Sequence, residues 1–107
     1  MINVEFLINK HGAFLGFQIS GHSAYDECGK DIVCAAVSSA AFMAVNTITD
    51  ILKVDAEAMV NKSGNMFFKV KREDLSHCKD ILLGFKLHMI SLEEIYPKNI
   101  TVNYLEV

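Results

Sequence analysis

The chain opens on an alternation of apolar and polar positions. Ile2, Val4, Phe6 and Ile8 share one side of a two-residue period, the pattern of a strand with a buried face. The turn residues Asn9-Lys10-His11-Gly12 follow, and a second alternation through Ala13, Leu15, Phe17 and Ile19 predicts a hairpin partner over 13–20. From residue 32 to about 52 the pattern becomes helical. Val33, Ala36, Val37, Ala40, Ala41, Ala44, Ile48, Ile51 and Leu52 nearly encircle that segment. A helix apolar all round is expected to be central, and its alanines and serines predict close approach to a sheet or to a second copy of the chain. Residues 55–60 and 65–71 flank Asn61-Lys62-Ser63-Gly64-Asn65 and predict a second hairpin. A second helix is expected over 75–93. Leu75, Cys78, Leu82, Phe85, Met89 and Leu92 make its apolar stripe, with Lys79, Asp80, Lys86 and Glu93 on the other side. Pro97 lies beyond it as a stop, and 100–106 is a last strand. The order ββαββαβ predicts an α/β protein of the α+β type: two layers, two helices packed on one mostly antiparallel sheet. Without a linker or a repeat, residues 1–107 read as a single domain.

Charge and cysteine content narrow the function. The net charge is −3, with Lys+Arg 10 against Asp+Glu 13. No basic stripe stands out, so direct nucleic-acid binding is not expected. The most apolar run, residues 32–45, is broken by Ser38 and Ser39 and reads as too short to span a bilayer, so no membrane partner is expected. The three cysteines, Cys28, Cys34 and Cys78, are an odd number. The start alternates instead of running basic and then apolar. Together these predict a cytoplasmic, reduced protein with free thiols.

Residues 21–34, Gly-His-Ser-Ala-Tyr-Asp-Glu-Cys-Gly-Lys-Asp-Ile-Val-Cys, join the second strand to the first helix. Asp31 stands directly before the apolar run and is a suitable N-cap. Cys34 is then the third residue of the first turn, near unpaired backbone N–H groups and the positive end of the helix dipole. Both favour the nucleophilic thiolate, whereas a capping carboxylate opposes it. His22, just past the second strand, is the nearest residue able to pair with the thiol as imidazolium. The helix must pack back across the sheet, so the two ends of the loop can meet. The N–H groups around Val33, Cys34 and Ala35 are expected to face the oxyanion of a tetrahedral intermediate. Nucleophile, base and anion site would then share one corner, as acyl transfer requires. Gly21 and Gly29 bracket the loop as candidate hinges. Ser38, one turn beyond Cys34, would line the site.

These residues have plainer readings. A cysteine in an apolar helix is a common core filler, and Gly-His at a strand end is often a solvated turn. Cys78, on the second helix's stripe, reads as core. His22, Cys28 and Cys34 are spaced by five intervening residues, which is not a zinc spacing, so no metal is expected. Cys28 leaves open a reversible disulfide with Cys34. The residues alone therefore leave two functions: a thiol enzyme needing no cofactor, or a non-enzymatic, ribosome-associated or redox-responsive binding module.

The run Gly21-His22 followed by Gly29-Lys30-Asp31-Ile32-Val33-Cys34-Ala35-Ala36-Val37-Ser38 resembles the ribosomal-processing cysteine protease family, often called Prp. The element order and length fit that family over essentially the whole chain. The resemblance implies a Cys34/His22 pair, with Cys34 as nucleophile and His22 as general base and acid, supported by Asp31. It also implies a substrate: a large-subunit bacterial ribosomal protein whose short N-terminal extension is cut off after an aromatic residue. A two-layer homodimer is implied as well.

Overall fold

The computed structural model describes residues 1–21, 31–61 and 63–107. Five strands and two helices follow the expected order: β1 (Ile2–Ile8), β2 (Phe14–Gly21), α1 (Ile32–Asn46), β3 (Ala56–Val60), β4 (Met66–Val70), α2 (Leu75–Ile95) and β5 (Ile100–Glu106). The sheet runs β3-β4-β2-β1-β5. β1 pairs antiparallel with β2, β2 with β4 and β3 with β4, while β1 and β5 run parallel.

Both helices bury their apolar stripes against one face of the sheet. Ile2, Val4 and Phe6 of β1, Phe17 and Ile19 of β2, and Met66, Phe68 and Val70 of β4 meet Val33, Val37, Ala41, Ala44 and Ile48 from one helical stretch, and Cys78, Leu82, Phe85 and Met89 from the other. Phe85 stacks on Phe17 with ring centroids 4.1 Å apart and meets Phe6 edge-on at 6.4 Å. Between β2 and β4 there is no room for a side chain at Gly16, where a Cβ would collide with the Phe68 carbonyl.

The strand alternation fails in one place. The β1–β2 register shifts after Leu7, which pairs with Gly16, to Ile8, which pairs with Phe14. Leu15 is the extra residue of a bulge. It is buried outside the helix-side cluster, and Phe14 takes the expected place of Leu15, its ring 5.4 Å from that of Phe6.

α1 continues through a wider π-type turn, Thr47–Ile51. Thr47 and Thr49 donate their hydroxyls back to the carbonyls of Met43 (2.7 Å) and Val45 (3.0 Å) at this turn. The resulting stretch Ile32–Ile51 has 20 residues and is, by length and composition, long and apolar enough to cross a membrane. This corrects the expectation from residues 32–45 alone. The stretch is also not enclosed on all sides. Only Val33, Val37, Ala41, Ala44 and Ile48 are buried, while Ile51 is 73% exposed and Met43 60%. Among the described residues no second layer covers its outer side.

The polar side of α2 is tied to β5. Glu93 Oε2 accepts from the Val102 N–H at 2.7 Å, and the Lys86 ammonium lies 4.8 Å from the Tyr104 ring centroid. Tyr96, bonded to Leu92 through its N–H and followed by Pro97, ends the helix with φ −124°.

Candidate active site

Asp31 caps α1 as the sequence predicts. Its backbone is extended (φ −76°, ψ 103°), and its carboxylate Oδ1 accepts from the N–H groups of Val33 (2.9 Å) and Cys34 (3.0 Å). Its carbonyl accepts from Ala35 N–H at 3.1 Å. With 8% of its surface exposed, Asp31 is the buried charged residue among those described. Three successive donors converge on one residue, so the backbone carrying the Cys34 thiol is fixed.

The same bonds correct the expected anion site. A cap and an oxyanion compete for the same first-turn donors. Here the N–H groups of Val33, Cys34 and Ala35 are already taken by Asp31, so they are not open to a developing oxyanion.

Cys34 is a free thiol, half-buried, and packs against the edge of the core. Ser38, one turn on along the same flank, is exposed. A groove of about 520 Å³ runs between the helices, lined by Ala36, Ser39, Ala40, Met43, Gly84 and His88, with Phe85 at its base. At 3.6 residues per turn, Ala36 and Ala40 stand roughly 120–160° around α1 from Cys34. The thiol therefore faces away from this groove.

Cys78 is buried on α2 as expected. Its Sγ donates to the Asp74 carbonyl at 3.4 Å. Burial, and then the nearby Asp74 carboxylate, push the Cys78 thiol above its ordinary range. Two of the three cysteines are thus differentiated: one held in the core as a thiol, the other on a helix start within reach of solvent.

His22, Cys28 and Gly29 lie outside the described residues. Gly21, the residue before His22, is described. Its φ is +83°, and a Cβ there would collide with the Met1 carbonyl oxygen. Its N–H donates to Asn65 Oδ1 at 3.3 Å. Asn65 was visible in the sequence only as part of a turn, because nothing in local spacing announces a contact to a residue 44 positions away. Beside this strand end a hollow of about 270 Å³ is lined by Ile19, Ser20, Met59, Val60, Asn65 and Phe67.

Comparison with known proteins agrees with the fold. The family model described as cysteine protease Prp matches residues 1–101. A ribosomal processing cysteine protease Prp from Staphylococcus aureus (strain Mu50) is 29% identical over 106 residues, covering 97% of this chain and 99% of that one. The protein of the same name from Bacillus subtilis (strain 168) is 26% identical over 107 residues, 95% of this chain and 96% of that one. A crystal structure of the S. aureus protease with a covalently linked product peptide superposes with a TM-score of 0.89 at 27% identity, covering 98% of this chain and 100% of that one.

Proposed function

The chain belongs to the Prp family of cysteine proteases, and on that premise we propose that it removes a short N-terminal extension from a bacterial large-subunit ribosomal protein, using Cys34 as nucleophile and His22 as general base and acid. Family membership makes the protein an enzyme and displaces the non-enzymatic binding module. The observation that carries the reading is the first turn of α1: a free, half-buried thiol on a backbone fixed by a buried carboxylate.

In the proposed reaction the Cys34 thiolate attacks the scissile carbonyl carbon. The C–N bond breaks as imidazolium His22 gives its proton to the leaving amine, leaving an acyl group on sulfur. His22 then takes a proton from water, the hydroxide adds to the thioester, and the thiolate departs with the product carboxyl released. Asp31 positions the nucleophile. Oxyanion donors come from outside Val33, Cys34 and Ala35, whose N–H groups are occupied. β3 is an edge strand with Met59 and Val60 exposed. An extended substrate adding to that edge would bring apolar side chains to the neighbouring hollow. The reaction belongs in the cytoplasm, where ribosomes are assembled, and needs no cofactor. The protein works as a homodimer joined through the outer sides of α1 and α2.

The test is to incubate the protein with the host's own N-terminally extended ribosomal protein and weigh the products. Two fragments from the natural protein and none from Cys34→Ala are expected. The small cavity left by that change keeps the fold intact. Processing by Cys34→Ala would refute the assignment.

A further inference from the structure

The two edge strands of the sheet are not alike. At β5, α2 reaches over the strand, and Glu93 Oε2 takes the Val102 N–H at 2.7 Å. At β3, Glu57, Ala58, Met59 and Val60 are all exposed, and neither a proline nor a bulge discourages pairing. The directions of its main-chain groups follow from the ladder. The Asn61 N–H donates to the Asn65 carbonyl at 3.0 Å, which makes these two a hydrogen-bonded pair. Such pairs alternate along antiparallel strands. Met59–Phe67 is therefore the next bonded pair, and the N–H and C=O groups of Ala58 and Val60 point away from β4.

This edge lies beside the thiol. Ile19 and Val60 both pair with Met66, so β2 and β3 end in the same row of the sheet. The helical stretch from Ile32 closes at Ile51, and the Val54 N–H bonds back to the Ile48 carbonyl just before β3 begins at Ala56. Its 20 residues run back over the sheet for about 30 Å, so the first turn of α1 stands at the Val60 end. α2 lies over β1, β2 and β5 through Phe85, Lys86 and Glu93. Cys34 faces away from the groove between the helices, and so toward β3. There Ala58 and Val60 share the sheet face of their pairing partners Phe68 and Met66, which are buried, yet are themselves exposed. α1 covers β4 and stops short of β3, leaving a ledge floored by Ala58 and Val60 on the Cys34 side. On the opposite face Met59, 70% exposed, borders the hollow with Phe67.

We propose that β3 is the strand on which the substrate is read: an extended stretch near the scissile bond pairs with the outward groups of Ala58 and Val60, seating one side chain on the ledge beside Cys34 and the next against Met59. This rests on the protease reading and gives it a specificity-determining residue, Ala58, whose methyl group leaves the ledge room for a large apolar side chain. The thiol beside the ledge favours substrate over a second copy of the chain, which would cover it.

The natural chain, Ala58→Pro and Ala58→Phe, each with native circular dichroism, are assayed on a peptide spanning the cleavage site of the extended ribosomal protein and on copies N-methylated at one position at a time. Proline is tolerated on an edge strand where the N–H faces outward, and phenylalanine is favoured in strands. On the natural chain, N-methylation should raise KM about tenfold at alternate positions, the loss of one main-chain hydrogen bond, and leave the positions between them unchanged. Ala58→Pro should raise KM by a similar factor with kcat kept, and become indifferent to one of the sensitive positions. Ala58→Phe should lose cleavage of the natural peptide and regain it on a peptide with alanine at the ledge position; it decides the matter together with the scan if Ala58→Pro does not fold. Cleavage without the two-residue period, or a natural KM in each folded variant, overturns the proposal and leaves the protease reading standing. A natural KM with a smaller species in sedimentation for Ala58→Pro gives the edge to a second copy and overturns it too. No cleavage by the natural chain, or cleavage by Cys34→Ala, removes the protease reading and this proposal with it.

Discussion

Asp31 does two jobs with one carboxylate oxygen: it stops the helix start from fraying, and it fixes the peptide units on both sides of Val33. Loss of such a cap costs about 1 kcal/mol, which lowers Tm by about 4–8 °C in a domain of this size. Asp31→Ala should therefore melt several degrees lower and process its substrate more slowly, while Asp31→Asn, which keeps the accepting oxygen, should melt close to the natural protein. Calorimetry beside the processing assay checks both; an unchanged Tm in Asp31→Ala would mean that the cap is not holding this turn. The cap was legible in the sequence because capping is local: a carboxylate directly before an apolar helical run has N–H groups within two and three residues. Its consequence for the anion site was not. Spacing shows which donors exist, but only the bonds of Asp31 Oδ1 to Val33 and Cys34 show that they are already spent.

At the scale of elements, periodicity located the five strands and both α-helices among the described residues but misjudged one surrounding. Leu15 was expected on the helix-facing side, yet the bulge beyond Leu7 gives that side to Phe14. A single extra residue inverts an alternation, and its cause lies in the partner strand. α1 was expected to be central, close to a sheet or to a second copy of the chain, because its residues are apolar all round. Among the described residues the sheet meets one side of this helix, and composition alone does not say what meets the other. The exposed side chain of Met43 lines the groove between α1 and α2. In the proposed homodimer this apolar surface is covered by the second copy. Met43→Glu places a charge there without touching the core, and sedimentation equilibrium should find the variant monomeric where the natural protein is dimeric. A variant that remains dimeric would place the interface elsewhere.

For the whole molecule, chain order specified ββαββαβ and two layers but not which strands lie side by side. β2 neighbours β4, and β5 joins the far edge parallel to β1. These pairings join residues distant in sequence, through main-chain bonds that carry no residue signature. The Gly21–Asn65 contact is unreadable in sequence for the same reason: it depends on the strand neighbours that bring the two together. Cys34 stood out in the sequence as the candidate nucleophile because a cap, a helix start and a family motif coincide within a few residues. The central claim is that this thiol carries the reaction, and site-resolved alkylation tests it most directly. The protein is treated with limiting iodoacetamide, its cysteines are mapped by mass, and the remaining protease activity is measured on the same samples. Activity should fall in step with label on Cys34, while Cys78, with its thiol pushed up by burial and less ionised at neutral pH, stays unlabelled. Full activity in protein completely labelled at Cys34 would contradict the account.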